Sequence, residues 1–97
     1  MANGFTGKII YPVVNMSDSQ IDIRYRVGAR TVLNNGENVA LAMEAHERTN
    51  GSYDIWVKGR LVSNTRGIDD ATRTMSSYID SKTGSLRDSR LEEIAKK

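Results

Sequence analysis

The sequence predicts an α+β domain: a four-stranded antiparallel meander followed by one or two C-terminal helices packed on one face of the sheet. Three stretches carry that expectation. Residues 20–27 alternate cleanly, with Ile21, Ile23, Tyr25 and Val27 on one side and Gln20, Asp22, Arg24 and Arg26 on the other. Residues 52–62 alternate again, with Tyr53, Ile55, Val57 and Leu61 opposite Asp54, Trp56, Lys58 and Arg60. From Ile68 the period changes, and Ala71, Met75, Tyr78, Ile79 and Lys82 follow helical spacing.

The elements follow in order. Residues 1–7 are rich in Gly and Asn and are expected to be loose. Residues 8–14 read as a first strand of β-branched pairs around Tyr11. Pro12 cannot donate to a ladder, so this strand belongs at a sheet edge, or Pro12 sits at a bulge. Residues 15–19 form a polar turn into the second strand, and Asn34-Asn35-Gly36 marks another turn. Residues 37–48 carry two signals. Ala, Leu, Met and Glu favour helix, yet Val39, Leu41, Met43 and Ala45 alternate with Ala40, Ala42, Glu44 and His46. The alternation runs into Asn50-Gly51 and then into a strand, which favours a hairpin. A two-residue loop at Asn50-Gly51 would put the two apolar sets on opposite faces. A three-residue loop, Thr49-Asn50-Gly51, sets Ala45 opposite Ile55 and Met43 opposite Val57, with Gly51 left-handed after a type I turn.

Residues 63–67 read as a loop. Asp69 and Asp70 suit a helix N-terminus through capping and the helix dipole, and Gly84 ends that helix. Ser85 and Asp88 resemble a capping box for a last segment bearing Leu86, Leu91, Ile94 and Ala95. That stripe is too thin to hold a helix alone, so the segment is expected to dock, on its own subunit or on a neighbour. The helix from Asp70 is expected to cover Ile21, Ile23, Tyr25, Val39, Leu41, Met43, Ile55 and Val57.

The 97 residues form one domain, with the sheet over 8–62 and the helical part over 69–96. Hydrophobic content is 38%, a modest core that a second subunit would complete. Cysteine is absent, which removes disulfides, thiolate zinc sites and cysteine nucleophiles together. The first residues lack a charged segment followed by an apolar run, and the longest apolar stretch, 9–14, is far too short for a bilayer. A cytoplasmic protein with no membrane partner is expected. Asn15-Met16-Ser17 and Asn50-Gly51-Ser52 match the glycosylation pattern by chance on that reading. The net charge of +2 is small. Charges cancel from Asp69 onward, and the basic excess sits in Arg24, Arg26 and Arg30 and in Lys58, Arg60 and Arg66.

The sheet face away from the helix therefore gathers Arg24, Arg26, Trp56, Lys58 and Arg60, with Ala40, Ala42, Ile10 and Val14 beside them and Arg66 able to reach it from the following loop. Three readings compete. Trp56 stacks on a base, for about 1–3 kcal/mol, while the cations hold phosphates. Alternatively Trp and Arg, residues enriched at hot spots, form a subunit interface. Or the cations are a solvated face paired with Asp22, Asp54 and Glu44. His46 reads as a surface histidine, since nothing at ligand spacing joins it. Ser76, Ser77 and Ser85 have no general base in local reach, so no catalysis and no cofactor are expected.

The expected function is a non-enzymatic binding protein that self-associates as a dimer or higher oligomer and presents this face to single-stranded nucleic acid or a nucleotide. The second reading is an assembly protein, viral or phage-derived, using the same face for subunit contacts. The third is an inhibitor of a host enzyme. The outline is similar to that of several single-strand-binding transcription cofactors and of small viral and phage proteins that form sheet dimers. No residue motif accompanies that likeness, and no residue role follows from it.

Overall fold

A computed structural model describes residues 4–28, 30–39, 43–80, 82–83 and 85–87. The fold is α+β, mostly antiparallel sheet with, among the described residues, one helix packed on it. The strands are β1 (Phe5–Asn15), β2 (Gln20–Val27), β3 (Glu37–Val39), β4 (Met43–Arg48), β5 (Tyr53–Val57) and β6 (Arg60–Thr65). They form one sheet in the meander-like order β2-β1-β4-β5-β6, with β3 also paired to β1. Helix α1 spans Ile68–Ser77, and a small ribbon of β7 (Ile79–Asp80) and β8 (Ser85–Leu86) follows.

Strand β1 lies inside the sheet, not at its edge. It pairs β2 along one side and β4 then β3 along the other. Pro12, fully buried, falls where the partner on that second side changes from β4, at Ile10, to β3, at Val13. The missing N–H is thus tolerated where the partner strand changes, and not at the sheet edge expected for it. The break also inverts one face. Val39 pairs with Val13, away from the core, whereas Met43 pairs with Val57 within it. Val39 therefore does not join the core face expected for it, and Leu41 lies outside the described residues.

Because β2 and β3 both run antiparallel to β1 on its two sides, the chain between them must cross β1. It does so on the side opposite the helix. There Arg24 Nη1 donates to the Val32 carbonyl at 3.1 Å, and Tyr11 and Val13 are buried although they point away from the core.

The core is the other side: Ile10 and Val14, expected on the outer face, with Met43, Ala45, Tyr53, Ile55, Val57 and Val62, closed by Ala71, Met75, Tyr78 and Ile79. The helix touches β5 and β6. It therefore reaches only part of the face expected of it. Ile21 and Ile23 pack at the core's margin, but Tyr25 and Val27 on the outer strand are left open. The helix ends at Tyr78, earlier than the spacing suggests, because Ile79 turns into the ribbon and pairs with Leu86. Residues 79–80 and 85–86 are thus extended where helix was expected, and the rest of the C-terminal segment, 88–97, lies outside the described residues. The helix starts on Gly67, which gives no side-chain cap. Asp69 and Asp70 sit inside the first turn, favourable to its dipole, and Asp70 Oδ2 accepts from the Arg66 N–H at 3.4 Å.

Residues 43–57 form the three-residue hairpin, with Ala45 opposite Ile55 and Met43 opposite Val57. Gly51 has φ 89° and donates to the Arg48 carbonyl at 2.9 Å. The stretch 52–62, in contrast, is not one strand. Lys58 (φ 51°) and Gly59 (φ 79°) make a two-residue turn between β5 and β6. Two consecutive positive φ values are the mark of a type I′ turn, which favours Asn-Gly over Lys-Gly. Lys58→Asn is expected to raise stability by about 0.5–1 kcal/mol, read from the shift of a urea melt.

Tyr53 is buried with its hydroxyl donating to Glu47 Oε2 at 2.8 Å. Burial, then the Glu47 carboxylate, pushes its ionisation up to about 12. A group raised in the fold stabilises it below the unfolded value, near 10, and loses that contribution as pH rises through the folded one. The absorbance titration of the tyrosines should show one that ionises about two units late, together with a stability loss confined to pH above about 10. A titration without such a late step would contradict this.

Candidate functional site

The side of the sheet away from the helix is assembled from alternate positions on every strand. Cross-strand pairing puts Ile9 beside Arg26 and His46, Glu44 beside Trp56, and Trp56 beside Leu61. His46 stands in the middle of a short aromatic row. Its ring lies 6.2 Å from Phe5, edge-on, and 6.4 Å from Trp56 at an interplanar angle of 57°. Arg48 places its guanidinium 4.5 Å above the Phe5 ring. Sequence reasoning took His46 for an ordinary surface residue, but it is half-buried and its Nε2 lies 2.7 Å from Glu44 Oε1. A carboxylate only accepts, so Nε2 carries the proton in this contact.

Most of the charge on this side is committed within the protein. Arg24 forms an ion pair with Glu37, holding the carboxyl below its usual range and raising its own guanidinium. Arg26 Nη2 binds Glu44 Oε2 at 2.9 Å, and the same side chain also donates to the Gly28 carbonyl. Asp54, almost fully buried, accepts from Arg48 Nε at 2.9 Å, from Arg48 Nη2 at 2.6 Å and from Asn64 Nδ2 at 2.6 Å. The solvated-face reading anticipated Glu44 as a partner for these cations; it foresaw neither Glu37 nor the burial of Asp54 and its pairing with Arg48.

A pocket of about 510 Å³ opens on this side, lined among the described residues by Glu44, His46, Trp56 and Gly59. That volume lies in the range of small-ligand sites. Each wall has a local cause. The three-residue hairpin loop sets Glu44 directly opposite Trp56. The turn at Lys58-Gly59 brings a residue without a side chain to the pocket's end, where an added Cβ would meet nothing within 4 Å. Lys58 and Arg60 flank that glycine, and both are exposed.

Of the residues the sequence singled out, Trp56 emerges on the open side beside the pocket. Arg24 and Arg26 share that side but are held by Glu37 and Glu44. Lys58 sits at the turn. Arg60 does not share the face of Trp56. The two-residue turn reverses the chain, so Arg60 pairs with Val57, and Leu61, assigned to the core side, pairs with Trp56 and is 52% exposed. A register shift between Ile55 and Trp56 then brings Val62 into the core in place of Leu61. Arg66 lies past the opposite end of β6 and does not join the group.

Sequence reasoning missed Glu44, His46 and Gly59 as pocket residues. The hairpin register contained the first, because Ala45 opposite Ile55 implies Glu44 opposite Trp56. A glycine inside an alternating strand pattern was the signal for the third. Among the described residues no three potential ligands gather around a metal position, and no helix is long and apolar enough to cross a membrane. Comparison with protein-family models, with curated proteins and with solved structures finds no match for this chain, so the reading of the site rests on its geometry.

Proposed function

We propose that this is a small, non-enzymatic binding protein that self-associates and receives a nucleobase, from a free nucleotide or an unpaired stretch of single-stranded nucleic acid, in the Trp56 pocket. One observation carries the reading: a ligand-sized pocket against the indole, with exposed Lys58 beside its glycine. An aromatic face stacks on any base, and Lys58 suits the attached phosphate. The pairing of Arg24 and Arg26 argues for a compact ligand over a long phosphate track.

Trp56 is the sole tryptophan, so tryptophan fluorescence, excited apart from the tyrosines, reports on this pocket alone. A mixed-sequence oligonucleotide should change that signal at low salt. With Lys58 as the contributing cation, log K should fall against log salt with a slope of about −0.7, taking 0.7 per phosphate contact. An unchanged signal at low salt would sink the proposal. The assembly reading stays in view for a separate reason: Leu61 and Phe5, 52% and 42% exposed, extend an apolar surface to either side of Trp56 and His46. On that reading Trp56→Ala changes the mass seen by light scattering while oligonucleotides leave the fluorescence unmoved.

A further inference from the structure

We infer that the Trp56 pocket chooses among bases by their hydrogen-bonding edge, taking those with an exocyclic amine, guanine best, and rejecting uracil. The inference rests on the base-pocket reading and adds the residue that would confer selectivity, Glu44. A ring stacked on the Trp56 indole turns its edge to the neighbouring strand, where the residue directly opposite is Glu44. Glu44 lines the pocket with its carboxylate. Oε1 takes one hydrogen bond from His46 at 2.7 Å and Oε2 one from Arg26 at 2.9 Å. A carboxylate has about four acceptor sites, so each oxygen keeps one for a ligand.

Those two bonds also fix the group in place. Arg26 is itself tied to the Gly28 carbonyl, and the His46 ring is set between Phe5 and Trp56. The acceptor is therefore oriented before a ligand arrives, and little ordering is needed on binding. Being acceptor-only, it rewards donors and penalises carbonyl oxygens. Guanine offers N1–H and the N2 amine side by side, which matches two carboxylate oxygens. Cytosine and adenine offer one amine each. Uracil flanks its single N3–H with two carbonyls, which would face Glu44 unpaired and desolvated.

The test is a Trp56 fluorescence titration with guanosine, inosine and uridine monophosphates. All three carry the same phosphate, so differences isolate the base. Guanosine monophosphate should bind about tenfold or more tightly than uridine monophosphate, a ratio set by the charge-assisted bonds. Inosine monophosphate, which lacks the N2 amine, should fall between them. Glu44→Gln, whose amide both donates and accepts, should bring the guanosine and uridine affinities within about threefold. If that variant does not fold, the three-nucleotide comparison on the unaltered protein decides alone. Equal affinity for guanosine and uridine monophosphates overturns the selectivity while leaving the pocket as a base site. No fluorescence change with any of the three overturns both.

Discussion

Replacing Asp54 by alanine is expected to lower the free energy of unfolding by about 2–4 kcal/mol, a drop of roughly 10–20 °C in Tm for a domain of this size. Asp54 is 3% exposed and takes three hydrogen bonds, two from Arg48 and one from Asn64. Alanine leaves those donors without their acceptor. The upper end of the range applies to a fully buried partner. Arg48 is about a third exposed in its side chain, at 36%, and can recover water, which places the cost below that limit. The pair Asp54→Ala with Arg48→Met should be less damaging than the sum of its parts, because removing both charges leaves no charge uncompensated and only the Asn64 bond is lost besides. A loss under about 0.5 kcal/mol for Asp54→Ala would mean that the pair contributes nothing to the fold.

The same site sets the acid limb of stability. Hydrogen bonds from Arg48, then from Asn64, hold the Asp54 carboxyl below its ordinary range. Arg24 does the same to Glu37, and Tyr53 with Thr6 does so to Glu47. A carboxyl lowered in the fold stabilises fully above its unfolded value, about 4, and that stabilisation disappears as pH falls through the folded value. Stability should thus be level from pH 7 to about 5 and decline below about 4, with a shallower decline in the Asp54→Ala protein.

What the sequence reveals of this fold follows the reach of local chemistry. Alternation at residues 20–27 and the loop parity at Thr49-Asn50-Gly51 are decided by neighbours, and both strands and register are as the pattern implies. The turn at Lys58-Gly59 was hidden because lysine is a poor type I′ residue, and because Val57 and Leu61 keep the apolar spacing of an unbroken strand. The interior position of β1 was hidden for a different reason. Pro12 argues for an edge from local chemistry alone, and only the tertiary exchange of β4 for β3 beside it supplies the exception. The shortened helix reflects the same limit, since the pairing of Ile79 with Leu86 is a contact between segments that no helical period can announce. For the site, Trp56 was legible as an aromatic on a polar face. The quenching of Arg24 by Glu37 was not, because those residues meet only after the chain has crossed β1.

Met75→Ala should cost about 3 kcal/mol and yet leave ligand affinity unchanged. The α1 helix has 10 residues, shorter than an isolated helix needs to persist in water. It is held by Ala71 and Met75, both 0% exposed, against the sheet, with Tyr78 and Ile79 completing the contact. Truncating a buried methionine removes its transfer free energy and leaves a cavity that the rigid sheet cannot collapse to fill, a cost of about 2–5 kcal/mol. Met75→Leu keeps the volume and should lose less than about 1.5 kcal/mol. Trp56, Glu44 and His46 lie on the opposite side of the sheet, so at temperatures where the alanine protein remains folded, its nucleotide titration should overlay that of the parent. A shift in affinity without a shift in stability would mean that the helix, and not the outer face, supplies the pocket. A stability loss under about 1 kcal/mol would mean that Met75 is not the anchor that its complete burial implies.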